Sequence, residues 1–341
     1  VGARSENLAV GGTNSNTVNI NQLDRKFLSE GTKLLDKVPN PFFGNPAFGS
    51  LSLPSSCQPP SAANNCITRG QLLRPFPQFL DIFAHQVSAG FARYDSMVLK
   101  FERRITRGWG ANINYTFSHN KDNLFGEVNY FSNNSNGLAR ALDNNDLKAE
   151  FAPSVIEAPH RLNVSGVYEL PFGKGKKYLN TSGPADWFLG GWQVAAIGSY
   201  QSGFPVVIVQ DNNNSGLFGS FQRPNLVAGQ DPKTSGSTED RLNNWFNPKA
   251  WTEAAPFTFG NAPRTDTRVR TPIKKNWDIA FQKNQRLSER FTLQLRAEII
   301  NAFNDPNFLG PATRFGRADF GQITQVGGFP RLLQWMARVQ F

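Results

Sequence analysis

No run of apolar residues in this chain is long enough to cross a membrane as a helix, and the mean hydropathy is −0.42. A spanning helix needs about 20 consecutive apolar residues. This excludes a helical membrane protein but leaves a β-barrel open, because a barrel strand needs only every second residue apolar. Cysteine is nearly missing: Cys57 and Cys66, in one Pro/Asn/Ser-rich stretch, are the only two. A lone pair in a loop reads as a local disulfide and an oxidising compartment. A metal site would need two further ligands, and no histidine lies nearby. His85, His119 and His160 are widely separated and lack HExxH or HxH spacing. Neither a GxxxxGK[ST] phosphate loop nor a GxSxG elbow occurs, so the basic run 173–177 reads as a turn. Neither catalysis nor a bound cofactor or metal is expected.

What the chain does contain is clearest in residues 276–303. Trp277, Ile279 and Phe281 alternate there with Asn276, Asp278, Ala280 and Gln282. After 287–290, Phe291, Leu293, Leu295, Ala297 and Ile299 alternate with Thr292, Gln294, Arg296 and Glu298. Period two puts successive side chains on opposite faces, so the stretch predicts a β-hairpin. The pattern alone fits a soluble sandwich or a barrel. Arms of about ten residues favour the barrel, since tilted spanning strands need nine to eleven and soluble strands average five or six.

The same pattern recurs along the chain. Met97, Leu99, Phe101 and Ile105 alternate with polar residues, turn at 106–109, and return through Ala111, Ile113, Tyr115 and Phe117. Leu162, Val164, Gly166, Tyr168 and Leu170 share one face, as do Trp192, Val194, Ala196, Gly198 and Tyr200. Leu333, Trp335, Ala337, Val339 and Phe341 close the series, and residues 1–10 look like the end of another strand. The chain therefore reads as all-β: about eight antiparallel transmembrane strands joined alternately by short turns and long polar loops. The loops cover 11–93, 119–159, 204–273 and 305–330. A helix is expected within 21–39, irregular chain over 39–60, and short edge strands near 206–209. Long loops on one side and short turns on the other are the asymmetry of outer-membrane barrels, which places the loops outside the cell. Residues 143–150 carry oxygen ligands that suit Ca²⁺, although an ordinary solvated loop explains them as well.

The formal charge is +10, but lysine and arginine are scattered over loops, turns and strand faces. They form no stripe with interleaved aromatics, so a nucleic-acid partner is not expected. The charge fits solvated loops and lumen groups, with attraction to anionic lipid headgroups and to an anionic ligand.

Six segments in order carry a resemblance: RGQLLRPFPQF (69–79), YDSMVLKFERRITRGWGANINYTFSHNKD (94–122), HRLNVSGVYELPFGKGKKY (160–178), GGWQVAAIGSYQSGFPV (190–206), LQLRAEIINAFNDPNF (293–308) and RLLQWMARVQF (331–341). They resemble the C-terminal β-barrel of TonB-dependent outer-membrane receptors of the Oar-like type, which carry a carboxypeptidase-regulatory-like domain. The resemblance implies a Gram-negative outer membrane and a 22-stranded barrel of which this chain supplies part. It also implies ligand uptake driven through TonB, by way of a plug domain that this stretch does not contain. Lipopolysaccharide and the barrel assembly machinery are the further implied partners, with Phe341 as the assembly signal. Loop candidates for ligand contact are Phe125, Tyr130, Phe218, Phe221 and Trp251. The alternative is a small stand-alone barrel with a structural or adhesive role. A soluble glycan-binding sandwich would require apolar faces buried against each other.

Overall fold

The computed structural model describes every residue except 11–17, 54–64, 86, 125–140, 182, 217–221 and 289. Its main sheet contains eight long strands, neighbours in space as in sequence. They are β1 (Gly2–Val10), β2 (Val87–Thr106), β3 (Trp109–Asp122), β4 (His160–Glu169), β5 (Trp192–Gln201), β6 (Lys274–Arg286), β7 (Thr292–Ile300) and β8 (Leu332–Gln340). All neighbouring pairs are antiparallel, and Ala152–Pro153 adds a short piece beside the end of β3. β1 and β8 are the two edges and do not pair with each other, so the sheet is open.

The register turns the alternation into two surfaces. Ala111, Gly166, Ala196, Ile279, Ile299 and Leu333 stand in one row across β3 to β8. One row on, Phe101, Ile113, Val164, Gly198 and Trp277 share that apolar face. The other face carries Glu102, Asn112, Ser165 and Asp278, with Gln282 opposite Arg296 and Glu298 opposite Gln334. A one-residue slip would exchange the two surfaces, so every strand pair is pinned by the same rule. At Gly198 the next strand is close: the Trp277 ring lies 2.6 Å from where a β-carbon would stand. An indole laid over a bare backbone fills the missing side-chain volume and fixes this register.

Neither face of the sheet is covered. Among the described residues, Val10 is the only buried apolar residue that belongs to the eight strands. Phe101 is 51% exposed on the apolar face, Trp335 is 77% exposed, and Ile197 on the opposite face is 62% exposed. A sandwich would bury one face of each sheet, and among the described residues no second sheet lies against this one. The soluble-sandwich alternative fails on this point.

The short connections gather at one end. Arg107 and Gly108 both have positive φ, +54° and +82°, the requirement of a two-residue turn that continues the twist of its strands. Residues 170–191 form a longer connection containing a six-residue helix, Pro184–Leu189. Inside it, the Lys283 ammonium of β6 donates to the Gly190 carbonyl beneath the Trp192 ring.

The long connections gather at the other end and cover 11–86, 123–159, 202–273 and 301–331. The strands thus run beyond the limits implied by alternation, with β2 beginning at Val87 and β3 continuing to Asp122. Their extra length is held by ladder pairing, Val10 with Val87 and Arg93 with Lys121, which needs no alternating sequence. The helix expected within 21–39 is a 3₁₀ segment, Arg25–Leu35, interrupted at Gly31 where φ is +57°. A second 3₁₀ segment, Pro46–Ser52, lies in the stretch expected to be irregular. Short strands at Pro205–Val206 and Val209–Gln210 stand where edge strands were expected.

The hydrophobic core sits among these connections. Val206, Ile208, Trp245, Phe246, Trp251 and Val269 of the third pack with Phe320 and Ile323 of the fourth. Leu23 and Leu34 of the first pack with Phe257 and Phe259 of the third. The four connections therefore form one cap over the end of the sheet.

Candidate functional site

Polar side chains hold the cap in place, because most of its backbone lies outside regular structure and its donors and acceptors still need partners. Asn21 is fully buried and donates to the carbonyls of Phe76, Phe79 and Leu80, while its own oxygen accepts from the Phe76 amide at 2.7 Å. The Arg74 guanidinium binds the Asn21 carbonyl and the Asp81 carboxylate. Gln22 accepts from the Asn144 amide and donates to the Leu142 carbonyl, joining the first connection to the second.

Three arginines of the third connection reach acids of β3 and the second connection. Arg264 binds Asp122 at 2.7 Å and donates to the carbonyls of Asp122, Leu124 and Ala152. Arg223 pairs with Glu150, and Arg270 with Glu157, whose other oxygen is 3.0 Å from His119 Nδ1. Burial pushes the Arg223 guanidinium below its ordinary range, and Glu150 opposes that shift. A buried pair adds little net stability over an apolar match, but removing one partner strands the other charge.

Two surfaces of this assembly can meet a solute. A depression of about 520 Å³ in the third connection is lined by Lys233, Thr234, Asp240, Arg241, Asn244 and Asn247. Arg241 lies over the Trp245 ring at 4.1 Å and donates to Thr234 Oγ1 at 3.0 Å. Ser237 donates to the Asp240 carboxylate through its hydroxyl and amide, which holds that carboxyl below its usual range. The depression offers charge and amide groups for polar contacts. The second surface is the polar face of the sheet, where Asn114 donates to Asn112, Asn276 donates to Asp278, and Arg296 pairs with Glu298. Among the described residues no three His, Cys, Asp or Glu side chains gather to hold a metal.

Trp251, proposed from sequence as a ligand contact, is a core residue. It is 3% exposed and makes edge-on contacts with Phe246 and Phe320. Phe125, Tyr130, Phe218 and Phe221 lie outside the described residues. Cys66 is buried and disulfide-bonded, and Cys57 lies outside the described residues. Phe341 follows β8 and is 98% exposed. The acid-rich segment 143–150 is solvated only in part: Asn145, Asp146, Lys148 and Ala149 are exposed, whereas Asp143 and Glu150 are buried, Glu150 accepts from the Leu142 amide, and Asp146 caps a 3₁₀ turn. The residues missed from sequence are the tethers Asn21, Arg74, Arg223 and Arg264. In sequence they resemble any loop residue: apart from Asp81, seven positions from Arg74, the partners that fix them across the cap lie 53 to 142 positions away.

Comparison with known families finds a match to a model described as an outer membrane beta barrel domain, spanning residues 1–334. No curated protein matches the chain.

Proposed function

The chain belongs to the outer membrane beta-barrel domain family, and from that premise we propose that it is the wall and outer cap of a receptor for TonB-dependent uptake. It resides in the bacterial outer membrane, with the apolar face of the sheet toward lipid and the polar face toward the barrel interior. The observation that carries the proposal is the open sheet whose second face is mainly polar, with charged residues on most strands. An eight-stranded barrel leaves an interior just wide enough for side chains to fill, whereas barrels of about 22 strands enclose a plugged lumen. Lys100, Arg161, Arg296 and Arg338 all stand on the polar face, and β1 and β8 remain apart. Both features suit a wide interior.

On this reading the cap meets the ligand first and the polar face lines its path. A plug domain outside these residues couples the path to TonB. The barrel assembly machinery inserts the strands, and no chemical step is assigned to the chain. The Oar-like type is the closest description of the segment pattern.

The test compares cells carrying or lacking the gene, each with or without working TonB. Uptake of ferric siderophores, oligosaccharides, peptides and cobalamins is measured. Loss of one class on removing either component supports the proposal. Unchanged uptake of all four, with the product present in the outer membrane, replaces it with a structural or adhesive role.

A further inference from the structure

The apolar face changes character at the cap end of β1, β2 and β3. Up to Met97 and Phe117 its residues on β2 and β3 are mainly apolar. The next row holds Asp95 and His119, and the row beyond holds Arg93 and Lys121, with Arg4 of β1 beside Arg93. These groups still point to the lipid side, because register and alternation are unbroken from Met97 to Arg93. Arg93, Asp95, His119 and Lys121 line a depression of about 400 Å³. Phe151 completes the lining, its ring stacked on Phe91 at 4.9 Å.

Among the described residues the charges are not balanced. Arg93 shares Asp95 at 2.7 Å, and His119 is held by Glu157. Arg4 and Lys121 have no ion pair or side-chain hydrogen bond among the described residues, and both are exposed. Three cations against Asp95 leave this patch with a net charge of +2. Its height is telling. Twelve positions of β2 separate Ile105 from Arg93; at roughly 3.3 Å each and a tilt of about 40°, that lifts Arg93 roughly 30 Å. The hydrocarbon core has about this thickness, so the patch meets the outer headgroup layer.

We infer that Arg4, Arg93 and Lys121 form a binding site for the phosphate groups of an outer-leaflet glycolipid, seated in the depression beside Phe151. Charge-assisted bonds from arginine and lysine to phosphate are the strong class of hydrogen bond, and a lipid-facing position weakens the competition from water. Acyl chains of the same molecule run down the apolar rows below, past Met97, Leu99 and Phe101. The site rests on the membrane placement of the sheet and not on TonB-dependent uptake. It is read in purified protein, so its failure and the failure of uptake are separate results.

The full gene product, folded in detergent, is incubated with diphosphoryl lipid A or with dephosphorylated lipid A, and retained lipid is counted by native mass spectrometry. Retention of the diphosphoryl form should exceed that of the dephosphorylated form by about tenfold. The double variant Arg93→Gln, Lys121→Gln should lose this preference, and Arg93→Lys, Lys121→Arg should keep most of it. Lys100→Gln, on the polar face, should match the parent protein. Heat-modifiable migration confirms that each variant is folded. Equal retention of the two lipids by the parent, or an unchanged preference in the double glutamine variant, overturns the site. Displacement of bound lipid A by millimolar inorganic phosphate would show a general anion site and overturns the glycolipid assignment.

Discussion

At Arg264 a guanidinium 1% exposed bridges the third connection to β3 and the second connection, through the Asp122 carboxylate and four main-chain carbonyls. Arg314 makes an ion pair of similar appearance with Asp211, yet both partners there are more than 40% exposed. Replacing Arg264 with alanine strands a buried carboxylate and should destabilise the cap by about 3–5 kcal/mol. Arg314→Ala should change it by about 0–1 kcal/mol, since solvent screens that pair. Trypsin applied to intact cells provides the measurement: rapid cleavage in the cap for Arg264→Ala, parent-like resistance for Arg314→Ala. At this scale the sequence was poorly legible. Trp251 looks like any aromatic in a polar loop, and only the packing of Phe246 and Phe320 around it shows that it is a core residue.

The strands were the most legible elements, because a period of two is local information that a single residue range carries in full. Their ends were less so. Val87 to Arg93 are extended because β1 lies beside them, and that partner is some 80 positions away in sequence. The 3₁₀ segment Arg25–Leu35 shows the converse, a helical pattern cut by one glycine with φ of +57°. Turn chemistry is local again at 107–108, where Gly108 has φ of +82°. A β-branched residue is strained in that region by about 1–3 kcal/mol, so Gly108→Val should lower the yield of folded protein. The check is the fraction of heat-modifiable band after dilution from urea into detergent. Gly175, also at positive φ, has nothing within 4 Å of the position a β-carbon would take, and it belongs to the 170–191 connection. Its replacement should matter less, because no strand pair depends on that turn closing tightly.

For the whole molecule, the structure separates tryptophans that composition alone treats alike. Trp109, Trp277 and Trp335 stand on the apolar face, whereas Trp245 and Trp251 are buried in the cap. In bilayers of brominated lipid, tryptophan emission should be strongly quenched, and Trp335→Phe should remove a clear share of that quenching. Trp245→Phe should leave the quenched share unchanged. Equal effects of the two substitutions would place the apolar face away from lipid. The division into wall and cap was legible as alternating runs between polar stretches. The interlocking of the cap was not, because Asn21 with Phe76, Arg223 with Glu150 and Arg264 with Asp122 are long-range pairings that leave no periodic mark.

With the cap facing outward, as proposed, that interlocking also decides how the protein looks to an immune system. Because neighbouring patches of the cap come from segments far apart in sequence, an epitope there is assembled rather than linear. Antibodies raised against peptides from 202–273 would meet Trp245, Phe246 and Trp251 turned inward, and would recognise denatured protein better than living cells.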